Sequence, residues 1–294
     1  MKAAVLHGQE DVRIEERNEP ALQPGEVRVR IGTALTCGTD LKVYRRGYHA
    51  RMITPPAVFG HEFAGTITEM AENVGDWKTG DRVVAANSAP CGECPYCKNH
   101  QPNLCDDLLF LNGAYAESIV VPARIVEKNL LPLSTDTTFA DAALTEPLAC
   151  VVQGADDCEL QAGQRILIIG SGPIGLMFAA LAQHIGCEVH LAGRGGARLQ
   201  TAAQLGAITH EVTGDDVVAA VSASGPFDVV IEAVGKPACW EAAVEIVSKG
   251  GTVNFFGGCP KGTSITLDTE TIHYSNLSLI HISEPTTLGM ISYA

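Results

Sequence analysis

Basic residues are scarce in this chain: 20 Lys and Arg stand against 34 Asp and Glu in 294 residues, a formal net charge of −14. Binding a polyanion needs a basic footprint, so nucleic acid is excluded as a partner, while a small local anion site is not. Aromatic residues are scarce as well, at 5%, and the cores must therefore be aliphatic. The N-terminal stretch MKAAVLHGQEDVRIEE lacks the apolar run of a signal peptide. No unbroken membrane-length run is present. The most apolar long stretch, Ile166 to Ala182, is short for a span and is interrupted by Gly170, Gly172, Pro173 and Gly175. A strand, a turn and a helix account for it better. With no hydrophobic anchor, a membrane role is disfavoured and a cytoplasmic location is expected.

Cysteine is plentiful, with ten residues. Without a secretory signal, that number points to a reducing compartment and to metal ligation. Cys91, Cys94, Cys97 and Cys105 follow the spacing C-x2-C-x2-C-x7-C, with Gly92 and Pro95 forcing turns between them. Four thiolates this close can converge on one tetrahedral zinc ion, a closed structural site with no open position for chemistry. A disulfide cluster is the alternative. Cys150, Cys158, Cys187, Cys239 and Cys259 fit no ligand spacing and read as small apolar core residues.

The length predicts two domains. The first half carries short strands punctuated by Gly and Pro: KAAVLH, GEVRVRIGTAL, EFAGTITEM, DRVVAAN and AESIVVP. This is β-rich, barrel-like patterning. From Phe139 the pattern changes. DAALTEPLACVVQGADD reads as a helix, after which RILIIG, CEVHLAG, FDVVIEAVG and GTVNFFG alternate with alanine-rich helical stretches. Buried strands alternating with helices imply a parallel sheet of βαβ units. The predicted boundary lies near Pro147, with domains at 1–147 and 148–280 and an anomalous tail at 281–294.

Gly170-Ser171-Gly172-Pro173-Ile174-Gly175 directly follows the strand ILII and opens a helix. Gly170 permits the tight turn, Gly172 lets the backbone approach a pyrophosphate, and Gly175 lets helix and strand pack closely. A glycine turn used only for packing is the alternative. The next strand ends near Gly193, where an NAD site would carry an acidic residue, yet no Asp or Glu occurs between Glu188 and Glu211. Arg194 stands there instead and offers a planar cation to a 2′-phosphate, so NADP(H) is expected over NAD(H). Arg194 as an ordinary solvated residue is the other reading.

Three further segments supply candidate ligands: Cys37-Gly38-Thr39-Asp40, Gly60-His61-Glu62 and Thr145-Glu146-Pro147. Thiolate, imidazole and carboxylate all suit a catalytic zinc with an open position. Spacing alone secures no site, because a lone histidine is more often a core or surface residue and a lone glutamate is usually solvated.

The order CGTD, GHEFAG, GDRV, the cysteine lobe, EPLA and GSGPIG resembles the zinc-dependent medium-chain dehydrogenases. The nearest branch is that of the polyol (sorbitol/L-iditol type) and threonine dehydrogenases, and the likeness runs from Met1 to about Leu277. The resemblance implies a GroES-like β-barrel catalytic domain followed by a Rossmann doubly wound parallel sheet, with the active site in the cleft between them. It implies two zinc ions per chain. Cys37 and His61 match catalytic ligands. Glu62 matches the neighbouring ligand of the polyol branch, and Glu146 a carboxylate that binds directly or through water; the choice between them stays open. Thr39 matches the hydroxyl that carries the proton away from the reacting oxygen, and Lys42 stands where many relatives place the outer histidine of the relay. Asp40 reads as structural, fixing the loop and ligand orientation. Thr145 and Val234 are assigned with the glycine loop to the cofactor.

The implied chemistry is hydride transfer between an alcohol and NADP(H), with a polyol or secondary alcohol as the leading substrate class. Threonine or glucose dehydrogenase is the alternative within enzymes, and a non-catalytic zinc- and nucleotide-binding protein the alternative outside them. The loops at 44–52 and 108–115, with Arg45, Arg46 and Arg51, are the expected specificity determinants; His49 reads as a bystander. A homo-oligomer, dimer or tetramer, is the family expectation. The end departs from the pattern: Ser278 to Thr286 reads like translated adapter sequence, and the last Rossmann strand and the elements after it are expected to be absent. A divergent short tail is the alternative.

Overall fold

The computed structural model describes residues 1–48 and 52–281. Two of the residues named above, His49 and Arg51, and the tail from 282 onward lie outside them. The chain divides into two compact units, the first from Met1 to Ala149 and the second starting at Cys150. The division falls inside the helix Thr145–Asp157.

The first unit is built on a five-stranded antiparallel sheet. Its spatial order is Leu130–Pro132, Arg82–Ala85, Glu62–Met70, Val27–Leu35 and Ser118–Val121. Val27, Val29, Phe63, Ile67, Val83, Ile119 and Val121 fill one core. They alternate along their strands as the two-residue period requires. A smaller three-stranded sheet joins Asp11–Glu16, Lys2–Gly8 and Ala57–Val58. The strands expected from the sequence are present. The helix Gly38–Arg46 was not foreseen: its apolar content is too low for periodicity to show, and it forms because Cys37 and Asp40 cap it reciprocally.

The second unit is a six-stranded parallel sheet. Its order is Ile208–Glu211, Glu188–Gly193, Arg165–Ile169, Phe227–Glu232, Val247–Phe255 and Ser278–His281. This is the 3-2-1-4-5-6 order of a doubly wound nucleotide-binding sheet, with a switch point beside the first strand. The central strands are buried on both faces: Ile166 and Ile168 face one cluster with Phe178 and Ala182. Leu167 and Ile169 face the other with Phe227 and Val253. The expected loss of the last strand is corrected here, because Ser278–His281 pairs in parallel with Val247–Phe255 through Thr252–Ser278 to Phe255–His281. The apolar stretch from Ile166 resolves into the strand Arg165–Ile169 and the helix Pro173–Ile185. No helix among the described residues is long and apolar enough to cross a membrane.

Candidate functional site

Strand register brings the first set of ligands together. Leu35 is paired with Glu62 across antiparallel strands. Cys37, two residues beyond Leu35, and His61, one residue before Glu62, therefore leave the same end of the pair. One donor atom each from Cys37, His61 and Glu62 lies within 4.8 Å of the others. His61 and Glu62 are buried, at 2% and 4% exposure. Gly60 sets the approach: its φ is +90°, and a Cβ there would sit 2.6 Å from the Tyr115 ring. The carbonyl of Gly60 accepts from the amides of Gly113 and Ala114, which docks the segment before His61 against the one before Tyr115.

Asp40 holds this end of the unit in place. It is 2% exposed, and its Oδ2 accepts from the Cys37 amide at 2.9 Å and from the Tyr115 hydroxyl at 2.6 Å. Its Oδ1 lies 3.2 Å from His61 Nδ1, and neither atom completes a well-shaped hydrogen bond elsewhere. A carboxylate behind Nδ1 fixes the ring and turns Nε2 toward a metal. Burial opposes a charge on His61, but the carboxylate of Asp40 and the sulfur of Cys37 outweigh it and push the pKa up to about 11. Burial raises the Glu62 pKa. A buried imidazole and carboxyl brought together with a partly exposed thiol fit one divalent ion that would compensate them.

The other predicted members are placed as follows. Glu146 lies in the first turn of Thr145–Asp157 and is buried at 5% exposure, but it is not part of the three-residue group. Thr39 donates its backbone N–H to the Cys37 sulfur. Lys42 is exposed on the helix whose buried residues are Asp40 and Val43. Tyr115, the partner of Asp40, was missed because nothing in the sequence links residues 75 positions apart.

Cys91, Cys94, Cys97 and Cys105 form the second group. All are free thiols. The Sγ atoms of Cys91 and Cys97 are 3.9 Å apart, and those of Cys105 and Cys91 are 3.5 Å apart. A disulfide requires about 2.05 Å. Ligands 2.3 Å from a tetrahedral zinc would be separated by about 3.8 Å, so the cluster fits the ion and the disulfide alternative fails. Backbone amides already point at the sulfurs: Cys91 N–H donates to Cys105, Cys94 N–H to Cys91 and Cys97 N–H to Cys94. The amides of Cys97 and Asp106 bring the Cys94 thiol down to about 6. Of the other cysteines, Cys158, Cys187 and Cys239 are buried, while Cys150 and Cys259 are partly exposed.

In the second unit a cavity of about 260 Å³ opens over the carboxyl ends of the sheet. Gly170, Gly172, Arg194 and Val234 line it. Nothing lies within 4 Å of a Cβ built on Gly172, whereas one on Gly175 would meet the Gly170 carbonyl oxygen at 1.9 Å. The first glycine leaves room for a ligand and the second lets helix and strand touch. Pro173 is the first residue of the helix, Ile174 packs against the core, and neither lines the cavity; nor does Thr145. Pro173 and Ile174 shape the helix start. Ser171 ties the glycine loop to the end of the second strand, accepting from Arg194 N–H at 3.1 Å and donating to its carbonyl at 2.7 Å.

Sequence reasoning also missed Asp215, Lys236 and Arg198, which line the same cavity, and Glu232 beneath it. Glu232 is fully buried and accepts from the amides of Val234 and Gly235. Burial outweighs those donors and pushes its pKa up to about 7.

Comparisons with known proteins place the chain among zinc-binding dehydrogenases. Residues 23–132 match the family described as the alcohol dehydrogenase GroES-like domain, and residues 173–289 match the zinc-binding dehydrogenase family. The sorbitol dehydrogenase of Bacillus subtilis is 31% identical, over 100% of this chain and 83% of its own length. The L-threonine 3-dehydrogenase of Xanthomonas campestris is 32% identical, over 91% of this chain and 80% of its own. A structure from Sinorhizobium meliloti 1021, described as a zinc-binding dehydrogenase bound to NADP, superposes with a TM-score of 0.87 at 29% identity, covering 95% of this chain and 83% of that one.

Two outcomes test the site. Cys94→Ser should lower the bound zinc by about one ion per chain and the melting temperature by several degrees, because a closed site contributes folding energy. Atomic absorption and thermal melting read both, and unchanged melting would contradict the assignment. For Glu232 the folded pKa of about 7 lies above the ordinary 4.5, so the folded state holds the proton more tightly. Its contribution is full below the ordinary value and is lost as pH rises through about 7. The stability of wild type relative to Glu232→Gln should therefore fall by roughly 2–3 kcal/mol between about pH 5 and pH 8, read by denaturant unfolding.

Proposed function

Since the chain belongs to the zinc-dependent medium-chain dehydrogenases, in the branch of the sorbitol and threonine dehydrogenases, we propose that it oxidises a polyol or other secondary alcohol, reversibly, with NADP(H) preferred. The observation that carries this reading is the convergence of Cys37, His61 and Glu62 within 4.8 Å. Three protein donors leave a tetrahedral ion one open position for a substrate oxygen. When bound, zinc supplies Lewis acidity to an alcohol hydroxyl and the dinucleotide supplies the hydride acceptor.

The chain's own residues prepare that chemistry. Asp40 orients His61 and holds the Cys37 turn. Glu62 is the proposed third ligand, and Glu146, buried in the first turn of the helix Thr145–Asp157, is the alternative carboxylate. Thr39 passes the hydroxyl proton outward. Lys42, three residues further along the same helix and exposed, marks the outer end of the proposed relay, where the proton leaves through water or through a lysine that has first given up its own proton. The glycine loop receives the pyrophosphate at the start of the helix Pro173–Ile185. Arg194 meets the 2′-phosphate, a reading supported by the absence of any acid at the end of Glu188–Gly193 and by the NADP in the Sinorhizobium structure.

His61→Ala should reduce kcat by about 10³-fold or more while leaving NADP(H) affinity within about two-fold, because no residue of the cofactor cavity changes. Steady-state rates and fluorescence titration separate the two, and retained turnover removes the catalytic zinc. Wild-type kcat/KM should favour NADP+ over NAD+, measured across polyols, secondary alcohols, sugars and threonine. A clear preference for NAD+ overturns the cofactor assignment, and the best substrate in the panel decides between polyol and amino alcohol.

A further inference from the structure

Three loops at the carboxyl ends of the sheet meet over the dinucleotide cavity. Arg194 follows the strand Glu188–Gly193, Asp215 follows Ile208–Glu211, and Lys236 follows Phe227–Glu232. All three line the cavity. Arg194 Nη2 donates to Asp215 Oδ1 at 2.5 Å, and Lys236 Nζ donates to the same oxygen at 3.0 Å. The ion pairs are about half exposed, with side-chain exposures of 55% for Arg194 and Asp215 and 51% for Lys236. As stability devices they contribute little. Their position is the informative feature. The cations sit on loops following the second and fourth strands of the 3-2-1-4-5-6 order, with the glycine loop following the first strand between them. One carboxylate oxygen holds both.

We propose that Asp215 is a clasp at the mouth of the cofactor cavity, occupying Arg194 and Lys236 until a ligand's own phosphate exchanges with it, and that Lys236 is the second cation of the 2′-phosphate subsite. The proposal rests on the NADP(H) reading and deepens it. A phosphate monoester carries close to two negative charges and several acceptor oxygens. It can satisfy both cations at once, whereas the ribose hydroxyls of an unphosphorylated dinucleotide cannot replace the carboxylate. Selectivity then has two sources: attraction of the phosphate to two cations, and the cost of freeing them from Asp215, which only the phosphate offsets.

The test uses the full chain and two nicotinamide-free fragments, 2′,5′-ADP and 5′-ADP, titrated by calorimetry. Neither needs turnover or bound zinc. Lys236→Ala should weaken 2′,5′-ADP by about five-fold or more and 5′-ADP by less than about two-fold. Asp215→Asn, which removes the competing charge and keeps the shape, should tighten 2′,5′-ADP by about three-fold or more and leave 5′-ADP nearly unchanged. Asp215→Ala serves as a second removal, and all positions are exposed enough for folding to survive. Weaker 2′,5′-ADP binding in both Asp215 variants, or equal changes for the two fragments, overturns the clasp. Arg194→Ala separates the underlying reading. If it weakens 2′,5′-ADP selectively while the Asp215 and Lys236 variants change nothing, only the clasp fails. If wild type binds both fragments equally and Arg194→Ala changes neither, the NADP(H) reading fails first.

Discussion

A single buried carboxylate organises the candidate zinc centre. Asp40 receives the Cys37 amide and the Tyr115 hydroxyl on one oxygen and faces His61 Nδ1 with the other. Each contact fixes a different element: the turn into the helix Gly38–Arg46, the end of the loop at 108–115, and the residue before the strand Glu62–Met70. A carboxylate at 2% exposure is costly unless such partners satisfy it. Asp40 fixes the geometry of two candidate ligands and lies outside the three-residue group itself. Burial pushes its pKa up, but His61 foremost, then Tyr115 and the Cys37 amide, bring it below the ordinary value.

The two cysteine-bearing sites differ in a way that assigns their roles. The lobe brings four sulfurs together and leaves no protein-free vertex on a tetrahedron. Its amide-to-sulfur bonds run within the lobe itself, so it can be shaped locally. The other site unites three donors of different chemistry drawn from two segments, and long-range contacts support it. Closed and local suits folding energy; open and externally braced suits a substrate. Ligand number and support agree, so neither site depends on its cysteines alone for its interpretation.

Much of this was legible from spacing. The lobe and the glycine loop are contiguous motifs, and their geometry follows from local turns. Cys37, His61 and Glu62 were legible only as a resemblance, because what unites them is the Leu35–Glu62 register, a tertiary fact. Tyr115, Asp215, Lys236 and Glu232 were not legible at all. Each acts through a partner brought near by sheet order, and an acid or lysine in a turn looks like any solvated residue. The helix Gly38–Arg46 was hidden for another reason: a capping box, not an apolar stripe, starts it.

The cavity in the second unit combines a packed floor with an adjustable rim. Its floor is set by buried groups with no freedom to vary: Gly175 against Gly170, and Glu232 pinning the Val234 and Gly235 amides. Its rim is set by Arg194, Asp215 and Lys236, which are half exposed and held by one another. Substituting a floor residue would disturb packing before it altered preference. At the rim a single charge can be exchanged with little loss of stability. On the proposed NADP(H) preference, discrimination between phosphorylated and unphosphorylated cofactors belongs at the rim, where charges can change without disturbing the packed floor.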